Sequence, residues 1–219
     1  MTIAAVAFDL DETLAVPTRD RETLLVEAVE ATGAPALTRQ AYLEAHGEHL
    51  TAETREPIFE SLLSGRDTEA TAADLAAAYR ERVTGALVPV PGVEDLLSDL
   101  RRRYRVGLLT NGPVVAQHDK VRTLGWTDAF DALLVTGSLE AGKPDRRAFE
   151  ALLSKLGTDA AETAYVGDDV DADVAGATDA GLPVVQVCYP GGPEPDPRAA
   201  AHVERDDLVS DLPGVLAAL

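Results

Sequence analysis

The 219-residue chain predicts an α/β fold, a doubly wound parallel sheet interrupted by an inserted block of helices. Three observations carry this. The run Ile3-Ala4-Ala5-Val6-Ala7-Phe8 is apolar throughout, as in a strand buried on both faces of a parallel sheet. From Val93 onward, helical and strand periodicities alternate. Between the two lies a stretch with four helical patterns and no strand. Residues 1–15 and 89–219 therefore read as a core, and 16–88 as a helical cap inserted after the first strand, over the sheet's C-terminal edge.

The first strand ends abruptly in Asp9-Leu10-Asp11-Glu12-Thr13-Leu14. Carboxylates at the end of a buried strand are costly unless they face something cationic, and that edge is where open α/β sheets place their sites. The cap helices follow from apolar residues at helical spacing: Leu24, Leu25, Ala28 and Val29; Tyr42, Leu43, His46 and Leu50; Ile58, Phe59, Leu62 and Leu63; Leu75, Tyr79, Val83 and Leu87. Val88-Pro89-Val90-Pro91-Gly92 then reads as a linker. Beyond it come a helix on Val93, Leu96, Leu97 and Leu100, the strand Arg105–Thr110, and a helix from Val114 to Leu124 that Gly125 terminates. A short strand at Leu133-Leu134-Val135 and a helix over Arg146–Leu156 follow. The strand Thr163–Val166 leads into a helix running to Gly181, then the strand Pro183–Cys188, a Pro/Gly-rich loop at 190–197 and a short helix from Leu212 to Leu219.

Composition narrows the function classes. Apolar residues make up 46% of the chain, which predicts a packed globular protein. No stretch reaches the roughly 18 to 20 apolar residues that span a bilayer, and no basic-then-apolar leader is present, so a cytoplasmic location is the expectation. The lone Cys188 agrees with a reducing compartment. Asp and Glu total 38 against 19 Lys and Arg, a net charge of -19 that opposes nucleic acid and anionic membranes as partners. Dispersed acid of this kind reads as salt adaptation, and higher activity in concentrated salt is expected, because screening relieves repulsion of an anionic substrate.

Three further polar clusters fall at strand ends or just after them: Thr110-Asn111-Gly112, Lys143-Pro144, and Gly167-Asp168-Asp169-Val170-Asp171-Ala172-Asp173. A parallel sheet brings these to the edge that carries Asp9 and Asp11. Together they supply carboxylates for a hard cation, a hydroxyl and an amide donor, and an ammonium. That set suits a phosphoryl group held beside Mg²⁺.

In this arrangement the sequence resembles the haloacid dehalogenase superfamily, most of whose members are phosphatases. The family's Asp-x-Asp-x-Thr strand end, Ser/Thr, Lys and Gly-Asp-x-x-x-x-Asp motifs stand here, in order, as Asp9 to Thr13, Thr110, Lys143 and Gly167-Asp168 to Asp173. The resemblance covers essentially the whole chain and implies a Rossmann-like core with a helical, type-one cap. It further implies that Asp9 is the nucleophile, forming an aspartyl-phosphate, and that Asp11 is the general acid and base, its pKa raised by its neighbour's charge. Mg²⁺ would be held by the Asp9 carboxylate, the Asp11 backbone carbonyl and the Asp168 carboxylate. Thr110 and the Asn111 amide would hold phosphate oxygens, and Lys143 would neutralise nucleophile and phosphoryl group. Thr13 completes the first motif. Asp173 would order Lys143 or its loop, and Asp169 stands where the family often has Ser, with no assigned role.

Asp11 separates the branches. A departing halide needs no proton and dehalogenases lack an acid at that position, whereas a departing alcohol does need one. Hydrolysis of a small phosphorylated metabolite is therefore the expected activity, with a phosphomutase the alternative on the same core. A phosphonatase would need a cap lysine, and residues 16–88 contain none. A receiver-type phosphoacceptor would be about half as long, with no acidic motif after the lysine, and a catalytically silent binding protein on the same fold is disfavoured because every expected reactive group is present. An EF-hand fails because Asp179, not Glu, stands at the twelfth position. Thr110-Asn111-Gly112 with Gln117 and Lys120 resembles the nucleotidase and acylneuraminate 9-phosphatase branch. His46 and His49 read as a solvated or internally satisfied cap face rather than metal ligands, Trp126 as packing, and Arg101 to Arg103 as a helix C-terminus.

Overall fold

The computed structural model describes residues 2–219. In chain order, β1 (Ala5–Phe8) and β2 (Ala15–Pro17) precede four helices: α1 (Arg21–Thr32), α2 (Arg39–Glu48), α3 (Glu56–Leu63) and α4 (Ala72–Gly85). After β3 (Leu87–Pro89) come α5 (Val93–Leu100), β4 (Arg105–Thr110), α6 (Val114–Thr123), β5 (Ala132–Val135), α7 (Arg146–Leu156) and β6 (Thr163–Gly167). A π-helical turn over Val170–Ala175 continues into α8 (Gly176–Asp179), followed by β7 (Val184–Cys188), β8 (Ala201–Glu204) and α9 (Leu208–Ala218).

Six strands form one parallel sheet in the order β5-β4-β1-β6-β7-β8. The fully buried β1 lies near the middle, as its apolar run requires. One face packs Val6, Phe8, Leu108, Val166 and Val185 against Leu96 and Leu97 of α5 and Leu212 and Leu216 of α9. The other packs Ala5, Ala7 and Tyr165 against Phe149, Leu152 and Leu156 of α7 and Ala177 of α8. Each large apolar side chain buried this way stabilises the fold by about 1.5–3 kcal/mol.

The helices α1 to α4 build a core of their own from Leu24, Leu25, Ile58, Phe59, Leu75 and Tyr79. Side chains of Asp20, Thr38 and Thr71 accept from backbone amides to start α1, α2 and α4. The loop after α2 is docked on the α/β core. Val114 N and Val115 N donate to Ala52 O and Glu53 O at 3.2 and 3.0 Å, and Thr136 Oγ1 donates to Leu50 O at 3.0 Å. Gly137 permits this approach, since a Cβ there would lie 2.5 Å from Ala52 O.

The structure departs from the sequence reading in four places. The segment expected to be a plain linker contributes β3, which pairs antiparallel with β2 (Ala15↔Pro89, Pro17↔Leu87) and ties together the two crossings into the cap. Prolines at the ends of a three-residue ribbon lose no necessary bond, so there they do not break it. The edge strand β8 lies in a stretch with no strand pattern, since Val203 is its only buried residue. The final helix starts at Leu208 and carries Pro213 within it. The helix expected to run to Gly181 opens as a π turn, with Val174 N donating to Asp169 O at 3.0 Å. No helix among the described residues is long and apolar enough to cross a membrane.

Candidate active site

The sheet order puts β4 and β6 on either side of β1, so three strand ends meet. Asp9 follows β1, Thr110 ends β4, and Asp168 follows β6. The chain reverses direction across the sheet here, the place where open α/β folds bind ligands. Lys143 enters from the loop between β5 and α7 and is 2% exposed. Its Nζ donates to Asp9 Oδ1 at 2.6 Å, to Asp173 Oδ1 at 2.7 Å and to the Tyr165 hydroxyl at 3.0 Å. The loop is held by Asn111, whose side chain accepts from Lys143 N and donates to Lys143 O, both at 2.9 Å.

Asp9, Asp168 and Asp173 are all buried, with oxygens within 4.8 Å of one another. Three carboxylates against one ammonium leave the cluster short of positive charge. Burial, opposed by Lys143 but reinforced by Asp173 and Asp11, raises Asp9 to about 7; burial and the neighbouring Asp173 and Asp9 raise Asp168 to about 8. A hard divalent cation with oxygen ligands is the group such a cluster fits. Asp173 has both oxygens engaged, Oδ1 by Lys143 and Tyr165 and Oδ2 by Asp169 N at 3.1 Å. Asp9 and Asp168 are therefore the freer pair. Asp168 accepts from Thr13 Oγ1 and from the Tyr189 hydroxyl, each at 3.1 Å. Gly167 makes this packing possible, because a Cβ there would lie 2.4 Å from Asp173 Oδ2. Asp169 caps the π turn, its Oδ1 accepting from Asp171 N and Ala172 N at 2.9 and 2.7 Å. Glu12 sits at φ 61°, turning the chain back so that Thr13 reaches Asp168.

Asp11 differs from its expected state. Burial would raise its pKa, but Lys120 and Arg21 outweigh it and hold the carboxyl far below the ordinary range. Lys120 Nζ lies 2.5 Å from Asp11 Oδ2, Gln117 Nε2 donates to the same oxygen at 3.2 Å, and Arg21 Nη2 donates to Oδ1 at 2.7 Å. The expectation considered only Asp9 as a neighbour; two cations from α6 and α1 reverse its sign. Lys120 itself is drawn down to about 8 by burial, against the attraction of Asp11. Thr110 Oγ1 accepts from Gln117 Nε2 at 2.5 Å.

The cap closes the opposite side of a cavity of about 320 Å³. His46 borders it, half-buried and stacked on Tyr42 with ring centroids 6.0 Å apart. Burial and the cations Arg55 and Lys120 lower its pKa to about 4, so it is neutral. Five of the chain's 19 basic residues line the cavity with six acids, so the site is nearly balanced while the exterior is strongly acidic. Repulsion of an anionic substrate by the net charge is thereby offset where the substrate would sit. Arg21, Arg39, Arg55 and Tyr189 were absent from the sequence reading, and Gln117 and Lys120 entered it only as branch markers.

The haloacid dehalogenase-like hydrolase family matches over residues 3–181. The chain belongs to this family. Among its relatives, a phosphoserine phosphatase of Thermus thermophilus is 37% identical over 157 residues, covering 70% of this chain and 62% of that enzyme. A glyceraldehyde 3-phosphate phosphatase of Methanopyrus kandleri is 29% identical over 224 residues, covering 96% of this chain and 92% of that one. Among solved structures of the family, a 2-haloacid dehalogenase from Pseudomonas syringae superposes with a TM-score of 0.73 at 26% identity, covering 99% of each chain. The haloacid dehalogenase-like fold, with its parallel sheet and helical cap, thus accounts for where Asp9, Thr110, Lys143 and Asp168 meet.

Proposed function

We propose that the protein is a Mg²⁺-dependent phosphate monoester hydrolase acting on a small phosphorylated metabolite through an aspartyl-phosphate on Asp9. The observation that carries this reading is the buried Lys143, which bridges Asp9 and Asp173 beside Asp168. The similarity to phosphatases acting on phosphoserine and glyceraldehyde 3-phosphate supports it.

Asp9 Oδ2 is the oxygen left free by Lys143 for attack on phosphorus. A P–O bond to Asp9 forms as the bond to the leaving oxygen breaks, and the Asp11–Lys120 pair supplies the proton that oxygen needs. The pair is short and burial draws its lysine down to about 8, so one shared proton passes through Asp11 to the alkoxide. Water then attacks the phosphoryl group, its proton returns to the pair, and Asp9 is released with inorganic phosphate. Thr110, the Asn111 amide and Lys143 hold phosphoryl oxygens. Mg²⁺, held by the Asp9 and Asp168 carboxylates and the Asp11 carbonyl, would supply charge neutralisation of nucleophile and phosphoryl group. The dehalogenase neighbour shares the scaffold, but a halide would leave the Asp11–Lys120 proton unused. Asp9→Asn and addition of a chelator should each abolish hydrolysis of an aryl phosphate; turnover that survives either one overturns the reading.

A further inference from the structure

We propose that Tyr189, Arg205 and Glu12 form a brace that positions two oxygens of the metal site, the Asp168 carboxylate and the Asp11 carbonyl, and so sets how tightly Mg²⁺ is held. The inference rests on the Mg²⁺-dependent reading above and gives that site a support reaching it from the far edge of the sheet.

Three segments distant in sequence meet here: the turn after β1, the loop after β7 and the turn after β8. The Tyr189 hydroxyl donates to Asp168 Oδ2 at 3.1 Å, while Thr13 Oγ1 donates to Oδ1 at the same distance. An ionised carboxylate has about four acceptor positions, so one donor on each oxygen orients the group and leaves both oxygens able to take a cation. Among the described residues, no other side chain donates to Oδ2. Neither Tyr189 nor Arg205 lines the cavity, whereas Asp168 and Glu12 do. The two are therefore placed to act through the ligands and not on a substrate.

Arg205 connects the two ligand-bearing segments. Its guanidinium lies over the Tyr189 ring, 4.0 Å from the centroid. Its Nη1 also donates to Glu12 Oε2 at 3.0 Å and to Glu12 O at 3.4 Å. Glu12 N donates to Ala15 O at 2.9 Å. That nitrogen and the Asp11 carbonyl belong to one rigid peptide plane, so holding Glu12 from both sides aims the carbonyl. Glu12 stands at φ 61°, a conformation that glycine adopts freely and glutamate does not. Its ion pair with Arg205 accounts for a carboxylate at this strained position.

The loop after β7 is shaped around the ring. Gly192 N donates to Tyr189 O at 2.9 Å, and a Cβ on Gly192 would lie 2.7 Å from the ring's Cε2. The buried Gln186 pins the rest of the loop, donating to Glu194 O at 3.2 Å and accepting from Asp196 N at 2.7 Å.

The test is calorimetric titration of Mg²⁺ into the whole, metal-free chain. Tyr189→Phe removes one oxygen and should raise the Mg²⁺ Kd about tenfold. Arg205→Met should raise it about tenfold as well, and here the sign decides: charge alone predicts tighter binding when a cation leaves the neighbourhood of a cation site. The double variant should bind about as weakly as either single one, because both act through the same contact. Gly192→Ala displaces the ring without altering a charged or hydrogen-bonding side chain. It should raise Kd about fivefold, and it decides the matter if Arg205→Met does not fold. The Mg²⁺ concentration for half-maximal hydrolysis of an aryl phosphate should rise in step. A Kd within about twofold of wild type in Tyr189→Phe and Gly192→Ala, whatever their Tm, would mark these residues as merely structural and overturn the brace. Tighter binding by Arg205→Met would overturn it too, with the metal site left standing. A wild-type chain that binds no Mg²⁺ would remove the metal reading and the brace together.

Discussion

Replacing Lys143 by Met leaves a hydrocarbon of similar length among three buried carboxylates. The ammonium is 2% exposed and makes two ion pairs, at 2.6 Å to Asp9 and 2.7 Å to Asp173. Removing one partner of a buried pair costs about 3–5 kcal/mol, because the other charge stays buried without compensation. The carboxylates can escape by taking up protons. Burial already raises Asp9 to about 7 and Asp168 to about 8 with the lysine present. In the unfolded chain they titrate near 4, so the metal-free folded state binds extra protons between about pH 4 and 8 and loses stability as pH rises through that window. The variant should therefore be about 4 kcal/mol less stable than wild type at pH 8 but only about 1–2 kcal/mol less at pH 5.5. For a chain of this size that is a drop in Tm of about 12 °C at pH 8 and about 4 °C at pH 5.5. Thermal unfolding by circular dichroism of the metal-free proteins measures both. A loss that is equal at the two pH values, or larger at the lower one, would refute the charge argument.

Other consequences are equally measurable. Wild type should show an alkaline limb near pH 8 as the Asp11–Lys120 pair loses its proton, and Lys120→Met should remove it and lower kcat by about 100-fold; an unchanged pH profile would contradict that role. Gly167→Ala puts a Cβ 2.4 Å from Asp173 Oδ2, so Asp173 must leave Lys143; about 2 kcal/mol of stability and at least tenfold in kcat should go with it, and a variant like wild type would contradict the packing. Adding Mg²⁺ should raise Tm more at pH 8 than at pH 5.5, since below their raised pKa values Asp9 and Asp168 hold protons that the ion must displace. Among the described residues only three acids, Asp9, Asp168 and Asp173, are buried, so raising salt from 0.1 to 2 M should raise Tm by several degrees, whereas KM should change less than about twofold because the cavity's charges nearly balance.

What the sequence made legible were groups whose chemistry is local. Asp9, Thr110 and Asp168 each end an apolar strand, so a parallel sheet alone brings them together; Lys143 stood out as one of three lysines. The groups it hid reach the site from helix faces. Lys120 and Arg21 look like ordinary solvated charges on amphipathic helices until α6 and α1 are packed over Asp11, and their arrival reverses the state expected for that carboxyl. Arg55 lies between two helices with no periodicity to mark it. For His46 the spacing shows a cap face but not that the cavity covers it. The β2–β3 ribbon and β8 were hidden by brevity, three and four residues giving too few alternations to read.

The central claim is that Asp9 carries the phosphoryl group. Acid-quenched turnover of an aryl phosphate, followed by peptide mass spectrometry, tests it directly. The account predicts a phosphoryl adduct on the peptide containing Asp9, absent in Asp9→Asn and accumulating in the first turnover. Steady turnover with that peptide unmodified, or with the adduct on another residue, would contradict it.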